Sequence, residues 1–145
     1  MKIRRIVFLA LALGAAHWSS ACSITGSKEV AFLGESRTLQ ASQILSVTNW
    51  YVGLRDGHIG IADISVYARS IKGNAAHTDL VKARVSAVTD LVRTLRAKDQ
   101  VPLRSEVIES RSPGPEQYPE VVISVQPKCA ATRSCCGEPI QPQQK

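Results

Sequence analysis

The sequence predicts an α+β domain: a mixed sheet of about four strands with two helices on one face, in the order β-α-β-α-β-β. Three observations carry this. Residues 78–97 place apolar side chains at 4-3-4-3 spacing, the mark of a helix with one buried face. Residues 59–68, 104–110 and 120–126 instead alternate with the two-residue period of strands. Helical stretches separate the first three strands, so they pair through crossovers, while the last two adjoin without a helix between them. A length of 145 residues suits one domain, and 44% hydrophobic with 21% charged residues is ordinary globular composition.

Taken in order, Val30, Ala31, Phe32 and Leu33 read as a short strand ended by Gly34. Residues 41–55 read as a helix, with Ile44, Val47, Tyr51 and Leu54 on one apolar face and Asp56-Gly57 as its stop. The strand at 59–68 shifts phase at Ala62-Asp63. Gly73-Asn74 is a loop, and Thr78 or Asp79 is placed to cap the next helix. That helix carries Val81, Val85, Val88, Val92 and Leu95 on its inner stripe, with Lys82, Ser86, Thr89, Arg93 and Arg96 opposite as a solvated face. A strand at 104–110 points Val107 and Glu109 one way, Glu106 and Ile108 the other. A Pro/Gly-rich loop at 112–119 leads to the last strand, which Pro127 stops. Residues 137–145 are rich in Pro and Gln and read as disordered.

The N-terminus reads as an exported leader. Lys2, Arg4 and Arg5 precede an apolar run over residues 6–16, and Ser19-Ser20-Ala21 supplies small residues before Cys22. The run is well short of the ~20 residues of a spanning helix. Residues 1–21 are therefore expected to be a signal peptide, 22–29 a tether, 30–127 the domain and 128–145 a Cys-containing tail. The formal charge of +6 shrinks accordingly: 15 basic residues outside the leader face 12 acidic ones.

Four cysteines, Cys22, Cys129, Cys135 and Cys136, would meet an oxidising compartment after export. Cys22 follows Ser-Ala, where a bacterial lipoprotein leader is cut and the sulfur receives diacylglycerol. The same bond also suits ordinary leader cleavage, which leaves Cys22 free to pair. In the tail, Cys129, Cys135 and Cys136 are expected to contribute structural disulfide bonds, the simplest closing a small loop from Cys129. The spacing Cys-x5-Cys-Cys with no following His matches no common zinc pattern, so no metal is expected.

Arg84 breaks the pattern of its helix, falling between Val81 and Val88 inside the apolar arc. A guanidinium there calls for a paired acid or a ligand carboxylate, unless it snorkels to the edge. The segment around it, Leu80-Val-Lys-Ala-Arg84-Val-Ser-Ala-Val88, then Leu91 to Leu95 and Val101-Pro102, resembles the OmpA C-terminal-like domain of peptidoglycan-associated envelope proteins. The resemblance spans roughly residues 29–126 and implies an OmpA-like fold. It also implies that Arg84 grips a carboxylate of the peptidoglycan stem peptide. The family's Asp, which grips the amine, falls at Arg69, and a cation cannot pair with an ammonium. The Gly-x-Gly that follows the family's third strand is absent from Glu109-Ser110-Arg111. Arg69 and Arg84 together are therefore expected as a two-cation, ligand-binding site for an anionic group.

No catalytic pattern stands out. His58 and His77 lie in no recognisable motif, and no Gly-x-Ser-x-Gly, Walker-type or dinucleotide loop occurs. Aromatics at 5% argue against base stacking, so no nucleic acid is expected as a partner, and no cofactor. The expected role is a non-catalytic cell-envelope protein, in the periplasm or at the outer membrane, lipid-anchored if Cys22 is modified, that contacts cell wall or another envelope protein. The alternative is a soluble periplasmic or secreted accessory or inhibitor module, stabilised by disulfides.

Overall fold

The computed structural model describes residues 25–57, 60–111 and 121–132. They form β1 (Gly26–Val30), α1 (Ala41–Asp56), β2 (Ile61–Ile71), α2 (Ala75–Leu95), β3 (Leu103–Ser110), β4 (Val121–Pro127) and a one-turn helix α3 (Lys128–Ala131). The strands lie in the order β1-β4-β2-β3. β4 is antiparallel to both its neighbours, and β2 and β3 run parallel through the α2 crossover. This is the α+β class and the element order that the periodicity predicts.

Strand period decides which face is covered. In register, Val66 stands beside Ile123 and Ala68 beside Val107. Ile64, Val66, Ala68, Val121, Ile123 and Val125 are all buried, in one core with Val47 and Tyr51 of α1 and Val81, Val85, Val88 and Val92 of α2. Both helices therefore pack on the same face. The alternate residues, among them Tyr67 and Val122, lie on the other face and are only half-buried. The phase shift expected at Ala62-Asp63 is a bulge between Ile61 and Asp63, where the β2–β4 register slips.

Several elements differ from expectation for identifiable reasons. β1 begins at Gly26, inside the segment read as a tether, and ends where the sequence placed its start. Among the described residues it is an edge strand, paired only to β4, and its Ser-Lys-Glu centre hides the period. Gly26 lies under α1, where an added Cβ would meet Leu54 at 3.7 Å and Trp50 at 4.0 Å. Ile44 is 41% exposed and Leu45 61%, so the buried face of α1 narrows to Val47 and Tyr51, flanked by Trp50 and Leu54. At the start of that helix the Gln43 side chain accepts from the Gln40 N–H at 2.8 Å. α2 starts at Ala75, not Thr78, because Asn74 Oδ1 caps it by accepting the His77 N–H at 3.0 Å. The solvated face of α2 loses two members. Thr89 is buried and turns its hydroxyl back to the Val85 carbonyl at 2.6 Å. Arg96 folds over to donate to the Val101 carbonyl. Pro127 belongs to β4 rather than ending it, and residues 128–131 of the expected tail are helical.

Gly60 fixes the entry to β2. Its φ of +62° strains any other L-residue, and an added Cβ would sit 3.1 Å from the Lys128 side chain. Its carbonyl accepts the Lys128 N–H at 3.2 Å, which ties the start of α3 to the start of β2. The leader, Cys22, His58, the 112–119 loop, Cys135, Cys136 and the 137–145 segment lie outside the described residues.

The core makes a direct prediction. Ile123 is fully buried in central strand β4, so Ile123→Ala is expected to lower stability by about 2–5 kcal/mol in urea unfolding. Leu45→Ala, on the exposed side of α1, is expected to stay within about 0.5 kcal/mol of wild type.

Candidate functional site

The residue that breaks the α2 pattern is also the largest fully buried side chain among the described residues. Arg84 is 1% exposed. It does not snorkel and it meets no acid: no ion pair between described residues involves it. Its charge is met by the chain between β1 and α1. Arg84 Nε donates to the Ser36 carbonyl at 2.8 Å, and Nη2 donates to the Gly34 carbonyl. Its guanidinium carbon stands 5.0 Å from the centroid of the buried Phe32 ring, within cation–π range. Burial pushes the Arg84 pKa down, and the nearby Glu35 carboxylate opposes that shift. An arginine still carries its charge at any physiological pH.

The segment that receives Arg84 is built for the purpose. Gly34 takes φ +50°, a left-handed conformation that turns the chain just after Leu33. The Ser36 N–H closes the turn on the Leu33 carbonyl at 3.0 Å. Ser36 Oγ then donates to the Thr38 carbonyl at 3.0 Å and accepts the Thr38 N–H at 3.3 Å. These bonds leave the carbonyls of Gly34 and Ser36 directed at one guanidinium. Reading 30–33 as strand hid this loop. Its signals were present in the Gly34 and Ser36-x-Thr38 turn chemistry and in the need of an inward Arg84 for acceptors.

The two expected ligand cations do not come together. β2 runs on to Ile71, so Arg69 lies within the strand rather than at its end. Arg69 is exposed between the buried Ala68 and Ser70, and strand parity puts it on the face away from the helices. Arg84 lies on the helix-covered face. The sheet separates them, so a single two-cation site built from this pair does not form. On the open face, Asp63 and Arg104 form an ion pair across β2 and β3.

His77 has a structural partner. Its Nδ1 accepts the Ile71 N–H at 3.2 Å, which ties the first turn of α2 to the last residue of β2. Tyr51 is fully buried and its hydroxyl reaches Asp99 Oδ2 at 3.4 Å. Burial, and then the Asp99 carboxylate, hold its pKa above the ordinary value near 10. Cys129 on α3 is not a free thiol. Among the described residues, no three His, Cys, Asp or Glu side chains are grouped to hold a metal ion. No helix of the described residues is long and apolar enough to cross a membrane.

Two variants test the Arg84 clamp. Arg84→Ala leaves two inward carbonyls unpaired and opens a cavity, so a loss of about 2–4 kcal/mol in urea unfolding is expected. Arg69→Ala is expected to change stability by less than about 0.5 kcal/mol. Tyr51 sets an alkaline limit. Its phenol titrates higher in the folded than in the unfolded state, so the folded state holds the proton longer and stability falls as pH rises above about 10. Tyr51→Phe is expected to flatten that alkaline loss in melting curves taken between pH 9 and pH 11.

No protein-family model matches the chain, and no curated protein does. Solved structures do. The OmpA-like domain of FopA1 from Francisella tularensis subsp. tularensis SCHU S4 aligns with a TM-score of 0.52 at 14% identity, over 71% of this chain and 75% of that one. The cell wall anchor of the T6SS from Pseudomonas aeruginosa aligns with a TM-score of 0.51 at 15% identity, over 72% of this chain and 82% of that one. At this identity the likeness is one of fold, and the fold is OmpA-like.

Proposed function

We propose that this chain is an exported, non-catalytic protein of the bacterial cell envelope, whose OmpA-like domain contacts the cell wall or another envelope protein. The observation that carries the reading is the shared fold. One of the similar structures is described as a cell wall anchor, and the leader-like N-terminus would deliver this domain to the same side of the inner membrane. Fold alone does not carry a ligand, so the contact has to be argued from this chain's own residues.

Those residues argue for a contact different from the family's. Arg69 stands where the family has its amine-binding Asp. The Arg84 guanidinium donates to two backbone carbonyls. A wall contact in this chain would use the loop that Arg84 holds, with Arg84 as a positioning residue and Arg69 taking no part. The same two facts favour a second reading, an accessory module that binds a protein partner in the periplasm and needs no stem-peptide site.

Sedimentation with purified peptidoglycan separates the readings. Wild type is expected in the pellet, and Arg69→Ala is expected to be retained equally. Arg84→Ala is expected to lose at least about half of its retention at a temperature where circular dichroism shows it folded. Equal retention of Arg84→Ala removes the loop from the contact and leaves the wall reading standing. Failure of folded wild type to sediment overturns the wall contact and favours the protein partner.

A further inference from the structure

β3 is eight residues long and forms one edge of the sheet, with β2 on its inner side and no strand beyond it among the described residues. Two bonds fix which of its backbone groups look inward. The Ile64 N–H donates to the Pro102 carbonyl and the Lys72 N–H to the Ser110 carbonyl, each at 3.0 Å. Backbone direction alternates along a strand, so residues 104, 106 and 108 turn their amides and carbonyls to β2 as well. Leu103, Ser105, Val107 and Glu109 turn theirs outward. That is an open ladder long enough to receive another strand.

The side chains along this edge set what kind of strand it fits. Glu106-Val107-Ile108-Glu109 reads acidic, apolar, apolar, acidic, and the pattern is the same in either chain direction. Both glutamates are exposed, and neither has an ion pair among the described residues. Ile108 is 39% exposed, and Val107 is half-buried against the core. Arg104, by contrast, is already held by Asp63 of β2. A second copy is a poor match. In a two-fold antiparallel pair, registers centred on Glu106, Val107 or Ile108 set a carboxylate against a carboxylate or an apolar side chain. The register centred on Ser105 overlaps only residues 103–107 of each copy and calls on the committed Arg104.

We propose that the outer edge of β3 takes up an extended segment of a partner protein by strand addition. The segment reads basic, apolar, apolar, basic. Its backbone bonds to the outward groups of Ser105, Val107 and Glu109, and its side chains meet those of residues 106–109. Opposite charges directly across a sheet attract and like charges repel, so the edge selects its strand as well as holding it. Glu106 lies on the open face and Glu109 on the helix-covered face, so the segment is read from both sides of the sheet. The proposal gives the protein-partner reading a surface. It rests on β3 alone and stands whether or not the domain meets the wall.

Hydrogen exchange on the full chain, read amide by amide by NMR, tests it with a synthetic peptide, acetyl-Thr-Lys-Ile-Val-Lys-Thr-amide. In the free chain the Ser105 and Val107 amides are expected to exchange fast and those of Glu106 and Ile108 slowly. With peptide at about ten times its Kd, the Ser105 and Val107 amides are expected to slow by about tenfold. Ser105→Pro removes an outward N–H on an edge, where proline is tolerated, and is expected to abolish that protection. Glu106→Lys is expected to weaken the peptide several-fold. Circular dichroism checks that both variants are folded, and Glu106→Lys carries the test where the proline variant is not. No slowing with the peptide overturns the proposal, as does equal binding of a peptide with glutamates in place of both lysines. Slow exchange of Ser105 and Val107 in the dilute free chain overturns it in favour of a segment of the chain itself. Protection that grows with protein concentration alone overturns it in favour of a second copy. Both variants are expected to sediment with peptidoglycan as wild type does, so failure here is separate from failure of the wall contact.

Discussion

A guanidinium held at 1% exposure on the apolar side of a helix is the constraint around which the described fold is arranged. Removing a charge from water costs several kcal/mol unless hydrogen bonds and field replace the lost solvent. Here the direct contacts are neutral, two backbone carbonyls from Gly34 and Ser36 and the face of Phe32, with the Glu35 carboxylate adding its field from nearby. The carbonyls point inward only because Gly34 adopts a left-handed conformation and the Ser36 hydroxyl satisfies Thr38 from the other side. α2 and the β1–α1 connection therefore depend on each other. Without Arg84 the loop has unpaired acceptors, and without the loop Arg84 has no counterpart.

The sheet imposes the second constraint. β4 is paired on both sides and β2 likewise, so their alternate residues supply the fully buried layer, and α1 and α2 share it from one face. The open face is a mixture of half-buried Tyr67 and Val122, exposed Arg69 and the Asp63–Arg104 pair. Among the described residues nothing covers the other face, and charges there with polar edge strands oppose edge-to-edge association. Arg69 fits that role as an exposed charge on the face away from the helices. The strand period that buries Ala68 is the same one that turns Arg69 away from Arg84.

What was legible in the sequence follows the strength of each local pattern. The α2 stripe of Val81, Val85, Val88 and Val92 repeats often enough to be unmistakable, and all four are buried. The phase shift at Ala62-Asp63 was visible as a broken alternation and became a bulge. β1 was misplaced because an edge strand needs few apolar residues, while Phe32, which draws the eye, belongs to the connection between β1 and α1. Thr78 and Asp79 looked like helix caps, yet Asn74 starts the helix three residues earlier. Several residues near a boundary can satisfy the same amide, and tertiary contacts choose among them; here the His77–Ile71 bond supplies one. For the site, the inward direction of Arg84 was readable from helical spacing, but its partners were not. Carbonyl acceptors carry no side-chain signature, so an arginine that uses them cannot be told by sequence from one awaiting a carboxylate.

That ambiguity bears on which of these two arginines the fold itself requires. The fold needs a guanidinium at Arg84 for packing and for loop closure, irrespective of any ligand. It needs nothing of the kind at the position of Arg69, where the side chain is exposed and the backbone alone serves the strand. The likeness of fold at 14% and 15% identity fits the same logic, since a layer of buried valines and isoleucines tolerates wide substitution while strand order persists.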